Sequence, residues 1–290
     1  MIGHLLIKHR EISKLPVSET SAKLENISSL LDHIASFLNS SFASSLIGAT
    51  AGACLGAYAA TRFAEKSQRE ALKLQDLRKI NSGVALAGAI ANDSINFKKQ
   101  LTLGLIENYL KDRINYQNTI AEIEAGNPIP RIEIQLCLIS LTFFKHEADE
   151  LRSLIINVIS PEANIIMATM LMWQSLHSLE RAINHREAEI LSIKKLLNKP
   201  KDENIFNIYF GIEGRSGNTE RGYSDSMEII SDMLDRSIFF SKYIAEKLSE
   251  RGCTLSSQLG KKDYPATTWD FSDAVNQKLI PDKSNFPDWE

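Results

Sequence analysis

Apolar residues recur three and four positions apart over most of the chain, the spacing of helices that bury one face. Leu24, Ile27, Leu31, Ile34 and Leu38 predict an amphipathic helix over 18–38, closed by a break at 39–41. Leu77, Ile80, Val84, Ala87, Ala91 and Ser94 predict a longer one, continued by Leu101, Leu105 and Tyr109 and interrupted at "NSG", 81–83. No proline lies between Pro16 and Pro128, so nothing forbids long helices there. The clearest boundary is "AGNPIPR", 125–131. Two helices should follow. One covers about 132–159. The next starts with Ser160 as N-cap and Pro161 at the first helical position, and carries the stripe Ile165, Thr169, Met172, Leu176, Leu179, Ile183 and Ile190. A short strand or hairpin is predicted at 205–210, a helix over about 224–251 ended by Gly252, and a short helix at 270–279.

One stretch departs from this amphipathic pattern. From Ile34 to Thr61 there is no Asp, Glu, Lys or Arg. Residues 42–61 make about 30 Å of helix, the thickness of a bilayer's hydrocarbon core. Their hydrophobicity is modest, with seven alanines, three glycines and four Ser or Thr. Ser44, Gly48, Gly52, Gly56 and Ala60 form one i, i+4 ridge, with Ile47, Cys54 and Tyr58 roughly opposite. Glycine in a water-exposed helix costs about 1 kcal/mol relative to alanine. A smooth small-residue face offsets that cost where two helices approach closely in lipid. The expectation is a single membrane span at 42–61 that associates through this ridge. A soluble alanine-rich helix buried against a neighbour is the alternative. Residues 163–179 also lack charge, but Asn164, Gln174 and His177 favour a buried soluble helix there.

Charge then orients the span. Arg62, Lys66, Arg69, Lys73, Arg78 and Lys79 follow it within 20 residues, whereas Lys23 is the one cation in the 20 before it. The positive-inside bias places the N-terminus outside a bacterial inner membrane and the C-terminal bulk in the cytoplasm. The first residues, "MIGHLLIKHR", have too short an apolar run for a signal peptide. A net charge of −3 gives no electrostatic case for a nucleic-acid partner. Cys54, Cys137 and Cys253 stand far apart, as expected in a reducing compartment.

Candidate chemistry is sparse. His146 and Glu150 stand at i, i+4, as do His185 and Glu189, while His177 and Glu180 stand at i, i+3. None has the Glu-x-x-His spacing of a di-iron bundle, and solvated helix faces explain them. "GIEGRSGNTERG" matches no phosphate loop, and Ser216 lacks the GxSxG elbow. No catalytic residue, cofactor or metal is predicted. Tyr264, Trp269, Phe271, Phe286 and Trp289 punctuate the proline-rich end of the chain. So many rings in a coreless segment imply either a strap docked into grooves of the bundle or a peptide that binds a partner.

The chain divides on this reading into an N-terminal segment (1–41), the span (42–61), a cytoplasmic helical bundle with coiled-coil-like spacing (62–252) and an irregular aromatic tail (253–290). "GAYAATRFAEKSQREALKLQDLRK", "SLHSLERAINHREAEI" and "WDFSDAVNQKLIPDKSNFPDWE" resemble segments of single-pass, mostly helical bacterial membrane proteins of unassigned function from defence-associated gene neighbourhoods. The resemblance implies no catalytic residue. It implies a role in anti-phage defence; the span, the ridge and the tail lead to the expectation of a membrane-anchored, self-associating scaffold or effector, with the bilayer, its own copies and a soluble protein as partners. A membrane-tethered hydrolase using the 211–225 loop and an adaptor that recruits a separately encoded enzyme are the alternatives.

Overall fold

The computed structural model describes residues 17–38, 40–128, 133–197, 205–213, 219–260 and 264–289. Among these every regular element is helical, so the all-α class holds. Helix α1 (Val17–Leu38) ends at the expected break, and α2 (Ser41–Phe97) runs for 57 residues. A π-helical turn (Lys98–Thr102) leads into α3 (Leu103–Glu124). Then come α4 (Ala148–Leu154), a second π-helical turn (Ile155–Ile159), α5 (Ala163–Leu197), α6 (Ile205–Phe210), α7 (Gly222–Leu259), α8 (Ser272–Asn276) and a 3₁₀ turn (Lys283–Asn285). The chain divides into two units, Met1–Arg69 and Glu70–Glu290.

The second unit holds the core. Helices α5 and α7 pack extensively on one another in it. All seven predicted stripe residues of α5 are buried, as are Leu77, Ile80, Val84, Ala87, Ala91 and Ser94 of α2. Leu101 breaks the run: it is exposed and Thr102 takes the buried position. The π-helical turn is the cause. Its i→i+5 bonding inserts an extra residue per turn and shifts the phase, after which Leu105 and Tyr109 are again inward.

Four boundaries differ from expectation. Residues 81–83 do not interrupt α2, because Gly83 packs there: a Cβ on it would lie 2.9 Å from Leu248 Cδ1 and 3.1 Å from Ile159 Cδ1. Gly252 likewise does not end α7. A Cβ there would meet Ile80 Cγ2 at 3.4 Å, so position 252 packs against α2 inside the helix, and Gly260, at φ +91°, follows the last turn. Ser160 is no N-cap. It adopts a left-handed φ of 42° and closes the second π-helical turn through its N–H to Ile155 O. Residues 205–210 form the short helix α6 in place of a strand.

The largest difference is at 133–147, which is not helical. Ile134, Leu136 and Leu138 alternate with Glu133, Gln135 and Cys137, a period of two that suits extended backbone. An extended segment without a strand partner must satisfy its backbone otherwise. Here side chains do so: Cys137 N–H donates to Tyr209 OH, and Leu141 N–H donates to Glu187 Oε1.

In the first unit the apolar face of α1 has no cover. Ile27, Leu31 and Ile34 are exposed, as are Leu30 and Phe37. On α2 so are Phe42, Leu46, Ile47, Leu55, Tyr58 and Phe63. Among the described residues no helix is long and apolar enough to cross a membrane. The stretch 42–61, where the span is expected, is helical as part of α2.

Candidate functional site

Of the expected packing ridge, Gly48, Gly52 and Gly56 have no atom within 4 Å of where a Cβ would stand, and Ala60 is exposed. The side chain of Ser44 lies outside the described residues. The ridge is therefore an open surface of α2 within the first unit.

The five tail rings all belong to the second unit, and the tail lies against α2 and α7. Trp269 covers Gly88, where a Cβ would stand 2.2 Å from its indole. Phe271 is buried and Tyr264 is half-buried. Phe286 stacks on Phe239 at 3.9 Å and 11°, and Trp289 meets Phe240 and Tyr243 edge-on at 5.0 and 5.4 Å. Polar clasps hold the backbone. Asn81 Nδ2 donates to Pro265 O and its Oδ1 accepts from Thr267 N. Ser249 and Ser256 donate to Thr267 O and Tyr264 O. Lys98, in the first π-helical turn, donates to Leu279 O at 3.2 Å and pairs with Asp235 at 2.6 Å.

A buried polar hub holds the 137–141 segment. Arg186 of α5 is fully buried. Its guanidinium donates to Ile139 O at 2.8 Å, Cys137 O at 3.3 Å, Glu187 Oε1 at 3.3 Å and Tyr223 OH at 3.1 Å. Tyr223 OH in turn donates to Cys137 O, and Tyr209 stacks on Tyr223 at 4.6 Å. Burial pushes both phenols above the usual tyrosine range, Tyr209 furthest. Neutral phenols and one paired guanidinium make a structural clamp; nothing here offers a nucleophile to solvent. The stripe on α5 carries the signal for Arg186. It passes from Ile183 to Ile190, and Arg186 fills the skipped inward position. Asn81 and Gly88 had a weaker signal, as polar and small residues within a buried helix.

The histidine motifs come together in part. His146 and His177, from separate motifs, face each other with ring centroids 6.3 Å apart. Trp173 lies 4.1 Å from His177, donates to Asp149 Oδ1 at 2.7 Å and carries Arg152 over its ring. Burial first and Glu147 second raise the Asp93 carboxyl above its ordinary range; burial first and His177 second hold His146 below its own. Among the described residues no group of three or more His, Cys, Asp or Glu could hold a metal ion.

His185 and Glu189 meet Ser226, giving the residue types of a hydrolase triad. His185 Nδ1 is 2.9 Å from Ser226 Oγ and Nε2 is 3.8 Å from Glu189. The serine proton, however, is donated to Gly222 O at 2.7 Å, one turn back on α7, and Ser226 is buried. The hydroxyl is a helix back-bond in this conformation. Ser216 and the rest of 214–218 lie outside the described residues. An open groove of about 630 Å³ between the start of α5 and the end of α7 carries Glu162, Glu250, Lys247 and Arg251, charges of both signs without convergence on one point.

No protein-family model, curated protein or solved structure matches the chain.

Proposed function

We propose that the protein is a membrane-anchored, self-associating helical scaffold whose second unit is a rigid cytoplasmic module. The observation that carries this is the first unit's apolar surface. Large apolar residues are exposed along α1 and α2 through a 34–61 interval without charge. A water-soluble monomer rarely leaves such a surface open. On this reading 42–61 inserts as a span of low hydropathy, stabilised by packing against its copies along Ser44, Gly48, Gly52, Gly56 and Ala60. The six cations of 62–79 stay on the cytoplasmic side. The second unit, with its buried core and docked tail, supports a role in presentation or recruitment of a soluble partner, and anti-phage defence is the setting that the sequence resemblance favours.

Alkaline carbonate extraction of membranes is the test. The protein should remain in the pellet, and a reporter fused after Glu290 should behave as cytoplasmic. Recovery in the soluble fraction would overturn the reading.

A second reading starts from the described residues, none of whose helices is long and apolar enough to cross a membrane. Copies of the first unit bury their apolar faces against one another in water, with no bilayer. A soluble protein that sediments as an oligomer through residues 17–69 would favour it.

A further inference from the structure

His146 ends the extended 133–147 segment, one residue before α4's N-cap, Glu147, whose side chain makes no capping bond. His146 Nδ1 supplies that bond instead, accepting the N–H of Ala148 at 3.3 Å. The geometry is that of an Asx turn, with an imidazole where Asn or Asp usually stands. An imidazole accepts at Nδ1 only while that nitrogen is unprotonated. The ring is wedged edge-on against Phe143 at 5.4 Å and Phe144 at 6.0 Å, and Phe144 packs on buried Phe97 at 5.4 Å. On its other side stands His177, whose Nδ1 is 3.0 Å from Trp173 O. A carbonyl only accepts, so that nitrogen is the donor of this bond.

We propose that His146 is an acid-releasable cap: neutral, it closes the first turn of α4, and protonated, it gives up the Ala148 N–H and frees 143–147 from Phe97. The charged groups that face it are Asp93 from α2, Glu147 and Asp149 at the start of α4, and His177 and Glu180 from α5. Burial opposes its protonation most, then His177; Glu180, Asp149 and Glu147 favour it. The N–H groups of the first turn add a further unfavourable field for a cation. The sign follows. The folded chain takes up this proton less readily than the unfolded chain. The stabilisation is therefore complete above the ordinary histidine value of 6.5 and is lost as pH falls through the folded value. Asp93 acts oppositely. Its carboxyl is held above the ordinary range, so its contribution is present in acid and lost as pH rises. Loss of structure on acidification therefore cannot come from Asp93.

Amide hydrogen exchange on the full chain, read on the peptide covering the start of α4 and corrected for intrinsic exchange, tests this. Between about pH 7.5 and about pH 5, either side of the ordinary histidine value, wild-type protection should fall about fivefold, the scale of a lost helix cap. His146→Asn keeps an acceptor two residues before Ala148 and cannot titrate there, so its protection should stay high and flat. His146→Leu should be low at both values. Flat protection in the wild type would overturn the proposal, and so would an Asn variant that falls in parallel with it. The wild type and Asn pair decides the matter even if the Leu variant fails to fold.

Discussion

Two sets of glycines on one helix mean opposite things. Gly48, Gly52 and Gly56, in the first unit, face open space, whereas Gly83 and Gly88, in the second, would each drive a Cβ into a neighbour's side chain. The same contrast runs through the apolar residues. In the second unit the three-and-four stripe of α2 is buried; in the first, the large apolar side chains described on α1 and α2 are exposed. A small-residue position is a contact made or a contact offered, and only the surroundings distinguish them. The second unit buries its stripe; the described large apolar side chains of the first are exposed.

The sharpest way to break this contrast is at the second unit's charged hub. Arg186→Met should cost about 3–5 kcal/mol, because it takes the cation from beside Glu187, removes the donor to Ile139 O and leaves Cys137 O with Tyr223 alone. Denaturant unfolding followed by circular dichroism measures it, and a loss under about 1 kcal/mol would mean that the hub is dispensable. Deleting 264–290 comes next, since it uncovers Gly88, Phe239 and Phe240 together; a lower melting midpoint is expected, and an unchanged one would leave the tail as a peptide for a partner. Gly88→Val follows at about 1–3 kcal/mol, since its Cβ occupies the place of the Trp269 indole. Displacement of that indole should also shift its emission to the red.

Gly52→Leu should have the smallest effect on stability, within about 0.5 kcal/mol, because among the described residues no neighbouring side chain lies within 4 Å of its Cβ position. Its effect belongs to association. Crosslinking in membranes should lose the wild-type oligomers while insertion is kept or improved. Normal insertion with unchanged oligomers would remove the ridge from the interface. A several-kcal/mol loss in the isolated chain would place Gly52 in a core and erase the contrast with Gly88.

Much of the helical layout was legible from periodicity. The stripes of α2 and α5 and the break before α2 follow from which residues avoid water, a property each residue carries with it. The 133–147 segment reads as helix and is not helical, because a short apolar run fits helix and extended chain alike. What decides it is Arg186, Tyr223, Tyr209 and Glu187, brought from 46 to 86 residues away to satisfy its backbone. The pairing of His146 with His177 was equally invisible, because their separation along the chain says nothing of α4 and α5 lying side by side.

By itself the sequence determined the all-α class, the inward faces of the long helices, the uncharged 34–61 interval and the ring-rich tail, because composition and spacing act locally. Only the tertiary structure decided which glycines are filled, where α7 ends, that a π-helical turn moves the buried position from Leu101 to Thr102, and that a histidine caps α4. Each of these depends on an atom contributed by a distant element, or on a backbone phase accumulated over many turns, and neither is encoded in the residues at the position itself.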